Sequence, residues 1–176
     1  TDLSQFYAMM REGKVFTTSL PSMADSEALL RGLLADGRDI LYIGFSSGLS
    51  GSYDAAVLVR DQVAAAHPDA ELYVVDTHLA SIAEGLLVYE ALEQRAKGLT
   101  AEEMVRWAEE ARYFVNEEFM VDDLGALRRG GRIPASVAVA GAALDVKPLL
   151  NIGVDGKLTL VGVARGRKKG IKQLVE

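Results

Sequence analysis

The sequence predicts an α/β fold: a first lobe built on a parallel sheet covered by helices, then a smaller, truncated α/β second lobe. Three observations carry this expectation. Short apolar runs at Ile40–Phe45 and Leu72–Val75 read as buried strands. Each is followed by a helix-period segment and not by a second strand, the alternation that builds parallel sheets. Neither run alternates apolar with polar, as expected of strands covered on both faces. The character changes after about Tyr113, so the lobes are expected at residues 1–113 and 114–176.

Taken in order, Ser4–Glu12 reads as a short helix with Ser4 as its cap and Gly13 as its stop. Residues 16–22 form a loop in which Pro21 holds Leu20 extended. Ser22 and Asp25 resemble a capping box; Met23, Leu29, Leu30, Leu33 and Leu34 line one helix face that stops at Gly37. After the first strand, a helix opens at Tyr53 and ends near His67-Pro68. After the second, a long helix from Leu79 to Lys97 ends at Gly98, and Thr100 with Glu103 caps another carrying Met104, Val105, Trp107 and Ala108. In the second lobe, Phe119–Val121 is a strand and Asp122–Arg129 a short helix before Gly130-Gly131. Residues 135–144 carry no charge and read as a buried helix, in plain core or along an apolar channel. Pro148–Val154 and Lys157–Val163 read as strands joined by Asp155-Gly156, the commonest short hairpin signal. Arg165 onward is a basic loop and the start of a helix.

Composition closes off several classes of chemistry. The chain has no cysteine, which excludes disulfides, thiol catalysis and thiolate metal sites. His67 and His78 are its two histidines, too few for a multi-histidine metal centre, so neither a metal nor a cofactor is expected. The net charge of −6 gives no general attraction to nucleic acid or to an acidic membrane. No apolar run approaches the ~20 residues that cross a bilayer, and the expected location is cytoplasmic. The chain opens on Thr1, and the expectation is a piece of a longer protein.

The most informative segment is Ser46-Ser47-Gly48-Leu49-Ser50-Gly51-Ser52-Tyr53, between the first strand and the next helix. Backbone N–H groups and the positive end of a helix dipole meet there, a setting that suits a phosphate or a carboxylate. Serine donates to an oxyanion and glycine allows close approach. A turn with helix-capping serines explains the composition equally well. The segment is not a P-loop, since no Gly-Lys-Ser/Thr ends it, and Ser50 sits one residue too late for a Gly-x-Ser-x-Gly elbow. Thr17-Thr18-Ser19 is a second hydroxyl cluster, of interest only where it meets the first in space. His78, beside Asp76, is a possible base for Ser50; neighbours within one turn make a poor relay, and a solvated histidine is the expected state. Arg128, Arg129 and Arg132, and Arg165, Arg167, Lys168 and Lys169, form either a solvated face or a docking surface for an acidic partner. No aromatic residues interleave with them, so nucleic acid is not the expected partner.

Five segments in order carry a resemblance: Thr18-Ser19-Leu20-Pro21-Ser22; Ser46 to Tyr53; Val75-Asp76-Thr77; Asp123-Leu124-x-x-Leu127-x-x-Gly130-Gly131-Arg132-Ile133; and Lys147-Pro148-Leu149-Leu150 with Asp155-Gly156-Lys157. Together they resemble the DegV family of bacterial fatty-acid-binding proteins. The resemblance implies two α/β lobes with a long-chain fatty acid between them and no catalytic residue. Its carboxylate would be held by Thr18 and Ser50, with Ser19, Ser47 and Gly51 in the same loops and Arg132 in the hydrogen-bond network. Some members are carrier subunits of a fatty-acid kinase, which implies an ATP-binding partner, with Arg165 and Arg167 as docking candidates. Leu20 stands where glutamine is usual and Thr77 where serine is; the family's amino-terminal strand and the rest of its second lobe lie outside this sequence. A channel wall of residues such as Ala138, Ala142 and Leu144 would gain ~0.8 kcal/mol per buried CH₂. Two other readings stand beside this one: a serine-dependent lipid or ester hydrolase or acyltransferase, and a phosphate- or nucleotide-binding regulator.

Overall fold

Ile40 and Ile43 stand three residues apart on one strand, so pleating sends them to opposite faces. The structure, a computed structural model, describes residues 2–134, 136–137 and 145–176. In it β1 (Ile40–Gly44) and β2 (Leu72–Asp76) pair in parallel, Ile40 opposite Leu72 and Gly44 opposite Asp76. On one face Ile40 and Leu72 pack with Val59 and Val63 of α3 (Ser52–Ala66) and with Leu30, Leu33 and Leu34 of α2 (Met23–Ala35). On the other, Ile43 meets Leu79, then Ala83 and Leu87 of α4 (Ser81–Ala96) and Trp107 of α5 (Ala101–Ala111). Helices therefore cover both faces, as the unbroken apolar runs required.

The caps explain where the helices begin. Thr100 and Glu103 form the reciprocal box at α5: the Thr100 hydroxyl accepts from the Glu103 N–H at 3.3 Å, and the Glu103 carboxylate accepts from the Thr100 N–H at 2.9 Å. Ser22 accepts from the Asp25 N–H at 3.3 Å to open α2. α1 (Leu3–Arg11) is capped by Asp2, whose carboxylate accepts from the Ser4 N–H at 2.9 Å; the expected cap, Ser4, lies inside the first turn. Met23 and Leu29 are exposed, so the buried stripe of α2 is narrower than its apolar residues allow.

The second sheet is antiparallel, ordered β3 (Glu118–Met120), β4 (Val146–Ile152) and β5 (Leu158–Arg165). Leu124, Ile133 and Leu150 form its core, backed by Phe119, Leu127 and Leu160. α6 (Gly125–Arg129) is shorter than expected, because Asp123 turns its carboxylate onto the Gly125 N–H at 2.6 Å and holds residues 122–124 out of the helix. α7 (Arg167–Val175) closes the chain against β5. The loop between β4 and β5 is not the two-residue turn that Asp155-Gly156 predicts. Gly156 donates to the Gly153 carbonyl at 2.8 Å, and Gly153 donates to the Lys157 carbonyl at 2.9 Å. Gly156 itself has φ +72. This is the next commonest hairpin loop, a turn followed by a bulged left-handed glycine, and it shortens both strands at the tip.

The expected channel residues Ala138, Ala142 and Leu144 lie outside the described residues. Among the described residues, no helix is long and apolar enough to cross a membrane, and no cluster of acidic or histidine side chains has the arrangement of a metal site.

Candidate ligand-binding site between the two sheets

Ser46 begins the serine loop and is fully buried. A buried hydroxyl must find partners, and this one has two: it donates to the Gly156 carbonyl at 2.7 Å and accepts from the Gly48 N–H at 3.2 Å. Its N–H donates to the Leu79 carbonyl at 2.9 Å, while its own carbonyl accepts from Leu49 and Ser50, each at 3.1 Å. The loop is thus wound tightly around Ser46. Ser50 follows, its Oγ accepting from the Ser52 N–H at 3.2 Å at the start of α3. That leaves the Ser50 hydroxyl proton to donate outward, at the positive end of a fifteen-residue helix.

The end of β2 braces this loop. The buried Thr77 hydroxyl donates to the Gly44 carbonyl at 2.8 Å and accepts from the Leu79 N–H at 3.0 Å, tying the two strand ends together. The Asp76 carboxylate accepts from the Ser47 N–H at 3.2 Å and the His78 N–H at 3.0 Å. His78 is not the solvated residue its sequence context implies. Its Nδ1 lies 2.9 Å from the Val154 carbonyl at the hairpin tip, and its Nε2 lies 3.3 Å from Asp76 Oδ2. Neither ring nitrogen is bonded to Ser50, so no Ser–His pair of the hydrolase type is formed.

Two glycines let the sheets meet. A Cβ on Gly48 would sit 2.6 Å from the Gly156 carbonyl oxygen, and a Cβ on Gly156 would run into Ser46 Oγ. The β4–β5 hairpin therefore rests backbone to backbone on the serine loop. Arg132 makes a second bridge, donating from Nε to the Leu49 carbonyl at 3.0 Å and from Nη1 to the Gly130 carbonyl.

Between these contacts lies a cavity of about 1130 Å³. Thr18, Ser19, Ser50 and Arg132 line it, brought together from three distant stretches of chain. Ser47 and Gly51 are not among its lining residues: Ser47 contributes its main chain to Asp76, and Gly51 caps α3 with its backbone alone. The walls are largely apolar, with Phe45, Ala83, Leu86, Val115, Phe119 and Leu158 among them. Thr18 and Ser19 sit on an exposed loop after α1, steadied by Phe16 packing on Phe6 with ring centres 4.5 Å apart.

Glu117 also lines the cavity and is missed by motif reasoning. Its carboxylate accepts from the Ala80 N–H at 3.3 Å, in front of α4. The only local sign is that the residue before α4 is alanine, which has no capping group of its own. Burial pushes the Glu117 carboxyl above the ordinary range; burial, with the charge of Glu117 as a lesser cause, does the same to Glu84.

A family model described as "Uncharacterised protein, DegV family" matches residues 1–176. A DegV domain-containing protein of Clostridium perfringens is 36% identical over 171 residues, 97% of this chain and 59% of its own length. One of Lactococcus lactis is 37% identical over 175 residues, 99% of this chain and 61% of its own. The chain thus spans about three fifths of the length of these relatives. Among solved structures, a DegV lipid-binding protein of Thermotoga maritima matches with TM-score 0.83 at 33% identity, over 99% of this chain and 59% of that one. A stearic-acid-binding protein of Eubacterium ventriosum matches with TM-score 0.82 at 27% identity, over 99% and 61%. A Thermus thermophilus DegV family protein described for its fatty acid binding matches with TM-score 0.78 at 32% identity, over 98% and 60%. With a family model matching from end to end, this chain belongs to the DegV family.

Proposed function

We propose that this chain provides the fatty-acid cavity of a carrier, taking the acyl tail between its two lobes and holding the carboxylate with the hydroxyls of Thr18 and Ser50. The observation that carries this reading is the convergence of Thr18, Ser50 and Arg132 on one largely apolar cavity of about 1130 Å³. Small-molecule sites have this character: apolar walls with a few placed polar groups. Two hydroxyl donors and the amino end of α3 suit one carboxylate. Arg132, fixed by the Leu49 and Gly130 carbonyls, holds positive charge beside them. The tail gains ~0.8 kcal/mol for each methylene it buries, so the walls supply most of the affinity. Ser19 shares the first loop; Ser47 and Gly51 shape the second.

In this reading residues 1–113 and 114–176 form the two lobes, and the ligand sits where they meet. The family resemblance extends the proposal to a fatty-acid kinase partner that receives the displayed carboxylate, with Arg165 and Arg167 on the docking side. The chain then acts by sequestering and presenting, not by catalysis of its own. The hydrolase alternative loses its base, because both nitrogens of His78 face other groups.

Native mass spectrometry of the purified protein, with solvent extraction of the same sample, tests the reading. One long-chain acid per chain, released on denaturation, is the expected result. Protein that stays empty after incubation with oleate or palmitate overturns it, and labelling of Ser50 by a serine-reactive phosphonate moves the assignment to the hydrolase.

A further inference from the structure

Residues 2–21 are tied to one another and to little else. Helix α1 buries none of its side chains. Its stop folds the chain back: Gly13, at φ +91, donates to the Met10 carbonyl at 3.0 Å, and Lys14 donates to the Met9 carbonyl at 3.0 Å. This pair of bonds is the glycine-centred helix stop. The returning chain lays Phe16 on Phe6, ring centres 4.5 Å apart, and places Lys14 Nζ 5.6 Å from the centre of the Phe16 ring. Among the described residues, no hydrogen bond or ion pair joins residues 2–21 to those beyond. At its far end Leu20 lies beside Gly51, where a Cβ would sit 3.8 Å from Leu20 Cδ1. Pro21 follows, and Ser22 then caps α2. The helix and its loop are thus one arm, joined to the body at residues 20–22.

One side of the arm faces the ligand cavity. Met10 of α1 and every residue from 14 to 19 line it. Its apolar members remain exposed there: 38% of Met10, 60% of Val15 and 37% of Phe16. We propose that Met10, Val15 and Phe16 are tail-binding residues on an arm that the acyl chain itself fastens, an assignment that rests on the fatty-acid reading. An arm without a polar tie to the body is held down by apolar burial. The empty cavity offers these side chains water; an acyl chain between the apolar walls offers them methylenes. Helix α1 gains order by the same contact, since a helix of nine residues is too short to hold itself in water. Thr18 follows Phe16 by two residues on the same arm, so closing on the tail carries its hydroxyl toward the carboxylate. Burial of the tail offsets the ordering cost of the threonine loop, and tail and head are recognised in one event.

Hydrogen exchange of amides 6–14 tests the arm, in ligand-free protein and after loading with palmitate, with bound acid counted by native mass spectrometry of the same samples. Without ligand, these amides are expected to be at least about a hundredfold less protected than the centre of α3. Equal protection of α1 and α3 in ligand-free protein overturns the arm. With one palmitate per chain, protection of α1 is expected to rise about tenfold or more. Phe16→Ala and Met10→Ala are each expected to remove most of that rise and to quicken release of a fluorescent long-chain acid by about fivefold. Met10→Ala leaves the Phe6–Phe16 contact in place, so its effect reports the tail contact and not the folding of the arm. The urea midpoint of ligand-free protein is expected to stay at the parent value in both variants; a clear fall would make these side chains part of the core and overturn the assignment. Palmitate bound at one per chain with α1 exchange unchanged removes the arm and leaves the carrier reading standing. Protein that takes up no palmitate removes the carrier reading and the tail-binding assignment together.

Discussion

The two hydroxyl loops bordering the cavity are built on opposite plans. The serine loop is wired from every side: Ser46 is buried and doubly bonded, Leu49 is held by Arg132, and Ser50 is fixed at the start of α3. The threonine loop at residues 16–19 is exposed throughout, and among the described residues no side-chain hydrogen bond holds Thr17, Thr18 or Ser19. Its tie is Phe16 resting on Phe6. In the proposed carrier, one hydroxyl is therefore held ready before ligand arrives; the other must be ordered by it, which costs conformational entropy. The contrast teaches that a shared lining position does not imply an equal share of affinity.

The strongest way to break this contrast is to spoil the wiring. Gly156→Val places a branched side chain at φ +72 against Ser46 Oγ, and a loss of about 3 kcal/mol in urea unfolding is expected. Stability equal to the parent would show that the hairpin does not press on the serine loop. Ser50→Ala removes the preorganised donor, and fatty-acid affinity should fall by about tenfold or more in a fluorescence titration. Thr18→Ala removes a donor whose loop must first be ordered, so a drop of about threefold is expected. A larger loss for Thr18→Ala than for Ser50→Ala would reverse the comparison.

The smallest effect is a pH dependence. Burial raises the Glu84 and Glu117 carboxyls above their ordinary value of 4.5 in the folded protein. Just above that value the folded state binds more protons than the unfolded one, so stability falls as pH rises through the window and is recovered as pH is lowered. Below the unfolded value the gain is constant. Urea midpoints measured from about pH 7 down to about pH 4 should show a shallow rise, and the double substitution Glu84→Gln with Glu117→Gln should flatten it. An unchanged slope in the double variant would place the dependence elsewhere.

Much of the parallel sheet and its covering helices is legible in the sequence because their signals are local. Apolar runs at Ile40 and Leu72, the Thr100–Glu103 box and the stops at Gly37 and Gly98 each depend on residues within a few positions. The errors are instructive for the same reason. Ser4 and Asp2 are both capping residues, and only the backbone geometry selects Asp2. Asp155-Gly156 names a hairpin correctly but not its loop, since Gly153 and Lys157 decide whether the left-handed glycine ends a two-residue turn or forms a bulge. His78 carries no mark that it will meet Val154, seventy-six residues away.

What the sequence determined by itself is the set of parts: two buried parallel strands, the helices that cover them, a hairpin, and two hydroxyl-rich loops whose residues lie in the order of one family. Those parts follow from periodicity, capping and turn chemistry, which act over short stretches of chain. The tertiary structure alone decided that the hairpin tip presses on the serine loop, that Thr18, Ser50 and Arg132 face one cavity, and that Glu117 serves a helix end in another segment. Those meetings depend on where whole elements pack, and packing is set by contacts between residues far apart in sequence that no local pattern records.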